Sequence, residues 1–375
     1  MKIGIVGGGP AGLYVALLIK KHFPLWSIEL VEQNPADNTY GWGVVFSGRA
    51  LSFLEASDPD SYEDIKSRLE TWDQLVIVHR GQSVPIDGSY FSGIGRIGLL
   101  QILQRHCLDR GVVIRFQTRF QDLEPFSRCD LIIGADGVNS MVREQYRKIF
   151  QPTVKFGSNK YVWYGTTQVF GSLSLIFHEN NDGIFVGHAY RYSPTNSTFI
   201  VECDATTWER AGLGSMSDEE SRRYCENVFE RDLRGNPLLS NKSMWLNFAM
   251  VSNQRWSYKN VVLIGDALRT VHFSIGSGTR TALEDAIALA KALEIHGEDL
   301  RTGVQTFIEN RRPSGGRLLD VAHRSLVWYE NLRQVIQLEP VPFAYDYMTR
   351  GGRVDHETLR KRAPKFAAAY ESLRS

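Results

Sequence analysis

The sequence predicts an α/β protein in which a parallel-sheet domain is interleaved with an antiparallel-sheet domain and followed by a helical C-terminal region. Three observations carry this prediction. A glycine-rich turn joins an apolar strand to an apolar helix within residues 1–19. Strand patterns that end in glycine and aspartate recur at residues 131–137 and 261–266. Between them, residues 161–203 alternate in period two and are rich in aromatic and β-branched side chains, which is typical of an antiparallel sheet.

The opening turn has the glycine spacing of a dinucleotide-binding, Rossmann-type βαβ unit. Gly7 is predicted to make the tight turn, Gly9 to let backbone N–H groups approach a pyrophosphate, and Gly12 to let helix and strand pack closely. Glu32 follows the second strand, where a carboxylate meets a ribose hydroxyl pair and would repel a 2′-phosphate, so FAD or NAD is favoured over NADP. The residues predicted to bind the cofactor here are Gly7, Gly9, Pro10, Ala11, Gly12, Glu32 and Gln33.

The order of the predicted elements divides the chain into interleaved domains. The nucleotide-binding domain is predicted to comprise residues 1–75, 95–160 and 255–300, the substrate domain 76–94 and 161–254, and the C-terminal helical region 301–375. Residues 40–49 are too rich in glycine to be predicted as an ordinary strand. Ser217-Asp-Glu-Glu220 is a capping-box signature and predicts a helix that follows it.

The composition of the chain limits the binding partners and the cellular location that we expect for it. A net charge of +1 gives no reason to expect nucleic acid or a membrane surface as a partner. No apolar run approaches the roughly 18 residues of a transmembrane helix. The chain begins directly in a core strand and its four cysteines show no CxxC spacing, so we expect no signal peptide, reduced thiols and a cytoplasmic location. The histidines are too scattered to predict a metal site, and a monomer or homodimer is expected.

Two further motifs accompany the opening turn. With it, Asp136-Gly137 and Gly265-Asp266 resemble, in order, the cofactor motifs of the single-component flavoprotein aromatic monooxygenases, the group containing para-hydroxybenzoate hydroxylase. The resemblance covers most of the chain and implies that group's fold, with FAD as cofactor. It places Asp136 near the pyrophosphate, Asp266 at the ribityl chain and Arg96 against the cofactor. Taken singly, each aspartate could belong to a plain turn, and Arg96 could be a solvated charge.

The same resemblance assigns a role to the glycine loop Gly276-Ser277-Gly278-Thr279. Its backbone would face the pyrimidine edge of the flavin, beside a helix N-terminus whose dipole stabilises the reduced flavin anion. Three positions near this loop depart from the group's usual pattern. Arg269, Phe273 and Arg280 stand where the group usually has histidine, proline and asparagine. These departures narrow the subgroup to which the chain is similar.

Two subgroups share further segments with this chain. Residues 41–46 and 161–166 resemble the salicylyl-CoA and 2-aminobenzoyl-CoA 5-hydroxylases and also the tryptophan-derivative hydroxylase of the violacein pathway. Segments 208–213 and 349–353 favour the aryl-CoA enzymes, whereas Leu268 favours the violacein enzyme. We therefore favour an aromatic acyl-CoA substrate, whose phosphates could meet the basic C-terminal tail, with an indole- or tryptophan-derived substrate as the alternative.

The resemblance also implies a reaction. NADH or NADPH would reduce FAD, O₂ would add at flavin C4a, and the hydroperoxide would hydroxylate a small aromatic ring activated by an amino or hydroxyl group, at the 5-position of the favoured substrates. A flavin-dependent oxidase or dehydrogenase is the alternative class. An oxygen atom from O₂ in the product would separate the two classes.

Four side chains are candidates for work on the substrate. His272 precedes the glycine loop and is the best candidate for handling a proton, because histidine titrates near neutrality. His188 and Tyr190 share one face of a strand, and that face lines the substrate cavity in the resembling group. Arg49 would attract an anionic cofactor or substrate. The alternatives are a structural histidine, plain sheet packing and a surface charge.

Overall fold

The structure, a computed structural model, describes residues 1–47 and 51–373, so that Arg49 and the catalytic role predicted for it lie outside the described residues. The strands within these ranges are Lys2–Val6 (β1), Ser27–Val31 (β2), Gly43–Ser47 (β3), Glu70–Trp72 (β4), Leu75–His79 (β5), Gln82–Ile86 (β6), Phe91–Gly95 (β7), Val113–Arg115 (β8), Leu131–Gly134 (β9), Pro152–Thr166 (β10), Leu173–Glu179 (β11), Ile184–Arg191 (β12), Ser197–Cys203 (β13), Leu238–Leu239 (β14), Leu246–Asn253 (β15), Ser257–Tyr258 (β16) and Val261–Leu263 (β17).

The helices of the described residues lie between these strands and after them. They are Pro10–His22 (α1), Ser52–Ser57 (α2), Pro59–Lys66 (α3), Arg96–Asp109 (α4), Met141–Gln145 (α5), Arg147–Phe150 (α6), Ala205–Arg210 (α7), Asp218–Val228 (α8), Glu230–Leu233 (α9), Gly278–His296 (α10), Leu300–Glu330 (α11), Pro340–Thr349 (α12), His356–Arg362 (α13) and Pro364–Ser372 (α14). Short 3₁₀ turns at Gly265–Ala267 and Phe273–Ile275 precede α10.

The first sheet has six strands within the described residues and is mostly parallel. Its order is β16-β17-β9-β1-β2-β8, and every pair is parallel except β16 with β17. Side chains of β1 and α1 such as Ile5, Leu13 and Leu17 are completely buried in the core of this domain. Because the carboxyl ends of parallel strands open at one edge, the turns after β1, β9 and β17 lie side by side.

The second sheet has the order β14-β10-β13-β12-β11-β5-β6, and β15 pairs with β10. Successive side chains of a strand point to opposite faces, so neighbouring residues join different cores. Phe177 packs with Phe343 and the other apolar residues of the C-terminal helices, whereas Ile176 lies in a separate core with Phe229. Helices α11–α14 therefore pack against one face of this sheet. Strands β3, β4 and β7 form a third, antiparallel sheet.

Several predicted elements are confirmed, among them the antiparallel pairing within residues 161–203, and one expectation is wrong. The helix after Ser217 forms with its capping box, and Ser197–Cys203 is a strand. Gly43–Ser47 is also a strand despite its glycines, because it pairs with β7 and the ring of Tyr192 packs where a side chain of Gly43 would point. The second sheet is antiparallel except that β5 joins β11 in parallel. Strand β10 runs across the boundary predicted at residue 160, and the domain division stays a prediction.

Two further observations concern membrane-spanning helices and the state of the cysteines. None of the helices among the described residues combines the length and apolar character that a bilayer-spanning segment requires. The four cysteines are buried and form no disulfide. Burial raises the pKa of Cys107 to about 12, so that thiol is unreactive at neutral pH.

Candidate active site

A cavity of about 640 Å³ lies between the two large sheets and is closed on one side by α12. Its walls come from elements far apart in the sequence, including α1, β3, β10, β12, β15 and the loop before α10. The predicted site residues that line it are Pro10, Arg96, His188, Tyr190, Asp266, Gly276, Ser277, Gly278 and Thr279. The predicted cofactor and substrate residues thus meet in one space.

The three cofactor motifs converge because their strands are neighbours in the parallel sheet. The first and second motifs are in contact, since a Cβ on Gly7 would lie 2.3 Å from the carbonyl oxygen of Ala135. The first and third motifs are in contact as well, since a Cβ on Gly265 would lie 3.0 Å from Cβ of Ala11. Both glycines have positive φ, 108° and 60°. Larger residues at either position would push the turns apart.

The opening turn leaves one open face. A Cβ on Gly12 would lie 1.9 Å from the carbonyl oxygen of Gly7, so helix and turn pack as closely as predicted. A Cβ on Gly9 would meet nothing within 4 Å. Gly9 is also the N-cap of α1, where no side chain satisfies the first backbone N–H groups. Open space beside free N–H groups at a helix N-terminus fits a pyrophosphate.

Glu32 lies at the end of β2, next to this turn. Its Oε2 accepts a hydrogen bond of 2.7 Å from the backbone N–H of Gly8, and its Oε1 accepts from the N–H of Asn34 at 2.8 Å. The side chain of Gln33 is exposed. A carboxylate fixed beside the turn is suited to a ribose, and the role of Glu32 at the ribose stays a prediction.

Asp136 makes all its described hydrogen bonds inside its own turn. Its carboxylate accepts from the hydroxyl of Ser140 at 2.5 Å and from the backbone N–H of Met141 at 2.7 Å. Burial raises the pKa of Asp136, and the hydrogen bonds work against that rise. Arg143 donates to the carbonyl oxygen of Ala267 at 3.1 Å and so ties this turn to the third motif. Asp136 is not among the residues that line the cavity, and its role at the pyrophosphate stays a prediction.

The third motif and the glycine loop form the floor of the cavity. Burial raises the pKa of Asp266, and the positive charge of Arg96 across the cavity works against that rise. Arg96 also donates from Nε to the hydroxyl of Thr39 at 3.1 Å. Helix α10 begins at Gly278 with no side-chain cap and no acidic residue in its first turn. Within the described ranges no side chain caps its N-terminal N–H groups, and the cavity that they face suits an electron-rich ligand edge.

The wall opposite the cofactor motifs holds a buried histidine–carboxylate pair. His188 lines the cavity, and its Nε2 lies 3.1 Å from Oε2 of Glu202, which is only 1% exposed. Asn159 donates to the other carboxylate oxygen at 2.8 Å. Tyr190 donates its hydroxyl to the carbonyl oxygen of Gly43 at 2.9 Å, and burial raises its pKa. Tyr190 therefore stays neutral and fastens β12 to β3.

His272 is placed differently from the other candidates. It is 3% exposed and does not line the cavity, whereas Phe273 and Phe248, whose rings contact it, do. Its Nδ1 lies 2.7 Å from the hydroxyl of Ser274. Burial lowers the pKa of His272 to about 4, so the ring is neutral at neutral pH. Proton handling by His272 stays a prediction.

Glu202 and Asn159 had no predicted role, although Glu202 ends the apolar run Ser197–Cys203. A lone acid in a buried strand is a signal, because such a group requires a partner. Arg350 lies in the segment 349–353 and in the basic tail, and it had no predicted role at the cavity. In the structure it lines the cavity and donates to the hydroxyl of Ser325 and to the carbonyl oxygens of Tyr347 and Ser274, at 2.7–2.9 Å.

Comparison with known proteins identifies the family. The family described as "FAD binding domain" matches residues 112–322, more than half of the chain. Salicyloyl-CoA 5-hydroxylase of a Streptomyces species is 36% identical over 360 residues, which cover 93% of this chain and 70% of that protein. The chain belongs to the FAD-dependent aromatic monooxygenases. The predicted family and the predicted cofactor, FAD, are confirmed.

Two further relatives of this monooxygenase are nearly full-length matches. Protodeoxyviolaceinate monooxygenase of Chromobacterium violaceum is 37% identical, and the match covers 93% of this chain and 94% of the relative. The 3-hydroxy-4-methyl-anthranilyl-[aryl-carrier protein] 5-monooxygenase of Streptosporangium sibiricum is 33% identical, with 96% and 97% covered. Both predicted subgroups are therefore represented among the relatives.

Solved structures confirm the predicted fold. The monooxygenase superposes on 2-methyl-3-hydroxypyridine-5-carboxylic acid oxygenase with a TM-score of 0.71 at 17% identity, covering 96% of this chain and 98% of that chain. It superposes on PqsL of Pseudomonas aeruginosa with a TM-score of 0.68 at 16% identity, covering 90% and 98%. The open face at Gly9, the carboxylate of Glu32 and the uncapped start of α10 fit the two ends of FAD.

Proposed function

We propose that this monooxygenase hydroxylates an activated aromatic ring that is carried as an acyl thioester, with a salicyl- or 2-aminobenzoyl-CoA as substrate and the 5-position as target. Salicyloyl-CoA 5-hydroxylase and the aryl-carrier protein enzyme are named for substrates of this kind. When bound, FAD would supply the transfer of electrons from NADH or NADPH and the activation of O₂. The residues of the chain hold the ring, exclude water and position its substituents.

The observation that carries this proposal is that the positively charged side chains lining the cavity already interact with other groups of the protein. Among the described lining residues, the arginines are Arg96 and Arg350. Arg96 interacts with Asp266, and Arg350 donates from all three of its nitrogens to protein oxygens. Each nitrogen of Arg350 already donates to a protein oxygen, so a free aromatic carboxylate would have to compete with these hydrogen bonds. A thioester is neutral and leaves them intact.

The surroundings of the ring favour an aromatic substrate. Tyr161, Phe248 and Phe273 line the cavity, and their ring centroids lie 4.9–6.4 Å apart. Such side chains favour a further aromatic ring and exclude water from the reacting atoms. Val354 lines the cavity at the C-terminal region, and its neighbour Arg353 is exposed. Arg353 is therefore our candidate for contact with a CoA phosphate.

The alternative is a ring of the indole or tryptophan-derived type. It is supported by the nearly full-length match to protodeoxyviolaceinate monooxygenase. A cavity of about 640 Å³ lies within the usual range for small-molecule sites.

The decisive experiment compares matched substrates in stimulating NAD(P)H oxidation by the FAD-loaded enzyme. Salicyl-CoA and 2-aminobenzoyl-CoA are set against free salicylate, free 2-aminobenzoate and an indole carboxylate, with ¹⁸O₂ to show that product oxygen comes from O₂. We expect the thioesters to give the larger kcat/KM. Equal or faster turnover of the free acids or the indole would overturn the proposal.

Two variants test separately whether the enzyme contacts the phosphates of CoA. Arg353→Ala should raise KM for the CoA thioester and leave KM for the N-acetylcysteamine thioester, which has no phosphate, unchanged. Arg360→Ala is the control, because Arg360 is exposed on the same tail and pairs with Glu371 at 3.3 Å. An equal effect of Arg353→Ala on both thioesters would exclude this phosphate contact.

A further inference from the structure

The sheet itself places the buried pair of His188 and Glu202. In the register of β12 and β13, His188 is opposite Ile200 and Val186 is opposite Glu202, so the two polar residues are diagonal neighbours on one face. Diagonal side chains of that kind are within reach of each other. The ring of His188 is further held between Phe273 and Tyr329, each with its centroid 5.3 Å away. The histidine therefore has one well-defined orientation.

The charge on Glu202 decides which nitrogen of His188 faces a ligand. Burial raises the pKa of Glu202, but the hydrogen bonds from His188 and Asn159 work against that rise, and the pKa lies below its usual value. An ionised carboxylate can only accept, so Nε2 of His188 carries its proton. In the neutral ring, Nδ1 then holds the lone pair. His188 lines the cavity, and Nδ1 is the nitrogen left for a cavity ligand.

The other titratable groups around the pair do not compete for that role. The ring of His272 is neutral at neutral pH, because burial lowers its pKa to about 4. Burial also raises the pKa of Tyr329, so its phenol is neutral. Arg350 lies 5.9 Å from the centre of the Tyr329 ring and donates elsewhere. Glu202 is therefore the charged partner of His188 among the described residues.

We propose that Glu202 is a positioning residue that holds Nδ1 of His188 towards the cavity as the acceptor for a hydroxyl group on the aromatic ring. The phenol gives its proton to Nδ1, the electron pair of the broken O–H bond stays on oxygen, and the Glu202 carboxylate stabilises the imidazolium that forms. An aromatic amine can donate to the same nitrogen but is too weak an acid to transfer its proton. This inference rests on the proposed function, and it favours salicyl over 2-aminobenzoyl thioesters as substrates.

The test uses FAD-loaded protein without NAD(P)H or turnover. Its probes are salicylamide and 2-methoxybenzamide, neutral rings that differ in the hydroxyl proton and carry no thioester. Binding is followed by the change in flavin absorption, and deprotonation by the phenolate band across a pH series. Wild type should bind salicylamide at least about tenfold more tightly than the methoxy compound and shift phenolate formation to lower pH. His188→Gln and Glu202→Gln should lose both properties.

Asp232→Asn is the matched control, because Asp232 of α9 pairs at 2.6 Å with His178, which lies on the same sheet as His188 but outside the cavity lining. It should behave as wild type. Equal binding of the two amides by wild type, or a phenolate band retained in Glu202→Gln, would overturn the proposal. Should Glu202→Gln fail to retain FAD, Asn159→Ala removes only the second hydrogen bond of the carboxylate and should weaken salicylamide by a smaller factor. Because the probes carry no thioester, failure of the proposed carrier would leave this result unchanged.

Discussion

Two glycines of the opening turn should respond in opposite ways to the same substitution. A methyl group at Gly12 would lie 1.9 Å from the carbonyl oxygen of Gly7, which is backbone and cannot rotate away. A methyl group at Gly9 would meet nothing within 4 Å, and the φ of −75° at Gly9 suits alanine. Gly12→Ala therefore strains the protein itself, whereas Gly9→Ala fills space that we assign to the cofactor.

The magnitudes follow from these surroundings. Gly9→Ala should leave the free energy of unfolding of the FAD-free protein within about 1 kcal/mol of wild type, since it costs no contact and restricts the unfolded chain. Gly12→Ala should lower it by about 3 kcal/mol or more, as overpacking against backbone does. If the first N–H groups of α1 bind the pyrophosphate, displacing one charge-assisted hydrogen bond costs about 1.5–3 kcal/mol, or roughly 10–100-fold in the Kd of FAD.

The assay combines urea unfolding of FAD-free protein with a fluorescence titration of FAD. Gly316→Ala is the control, because a Cβ on Gly316 also meets nothing within 4 Å but Gly316 lies on α11, away from the cavity lining. An unchanged Kd of FAD in Gly9→Ala would refute the placement of the pyrophosphate. A stability of Gly12→Ala equal to that of wild type would refute the argument from close packing.

Three further predictions test the scaffold. Asp285→Asn removes the buried negative charge that accepts from Gly265 N–H at 3.2 Å and from Arg269 at 2.7 Å. Urea unfolding should show that the free energy of unfolding falls by about 3–5 kcal/mol and that Arg269→Met partly restores it. A fall below about 1 kcal/mol would contradict the buried pair. Burial lowers the pKa of His272 from 6.5 to about 4, so the unfolded chain binds more protons than the folded protein between these pH values. The free energy of unfolding should therefore fall by about 3 kcal/mol as the pH falls through that window. An equal fall in His272→Gln would contradict this assignment. Arg350→Lys loses the hydrogen bonds that fasten the end of α12 to the 3₁₀ turn Phe273–Ile275, and it should speed limited proteolysis of the C-terminal region. Unchanged cleavage would show that other contacts hold this region.

The parts of the site that the sequence predicted are those with local causes. Each cofactor motif is a strand followed by a turn whose glycines are required by nearby backbone atoms, as at Gly7 and Gly265. Such turns leave a spacing that can be recognised in the sequence. Their convergence then follows from the order of three parallel strands. The loop at Gly276–Thr279 was predicted through the resemblance to the flavoprotein monooxygenases, and it starts the long helix α10.

The parts that the sequence did not predict depend on contacts between distant segments. Strand β3 forms because Phe91–Gly95 pairs with it, and no property of its own glycines indicates that partner. Glu202 becomes the partner of His188 only through the register of two strands. The burial of His272 and the capture of Arg350 both depend on how the C-terminal helices pack. Pairings of this kind are set by tertiary structure and leave little local pattern.

Arg269 shows how a departure from a family pattern can be structural. It stands where the resembling group has histidine, yet it is 3% exposed and does not line the cavity. Its guanidinium binds Asp285 and lies 4.9 Å from the centre of the Trp256 ring. Asp285 also accepts from Arg311 of α11 at 2.9 Å. The substitution therefore anchors the turn that carries Asp266 to α10 and α11, and it acts on the cofactor site through the scaffold. We therefore expect substrate preference to depend on residues that line the cavity, such as His188, and not on Arg269.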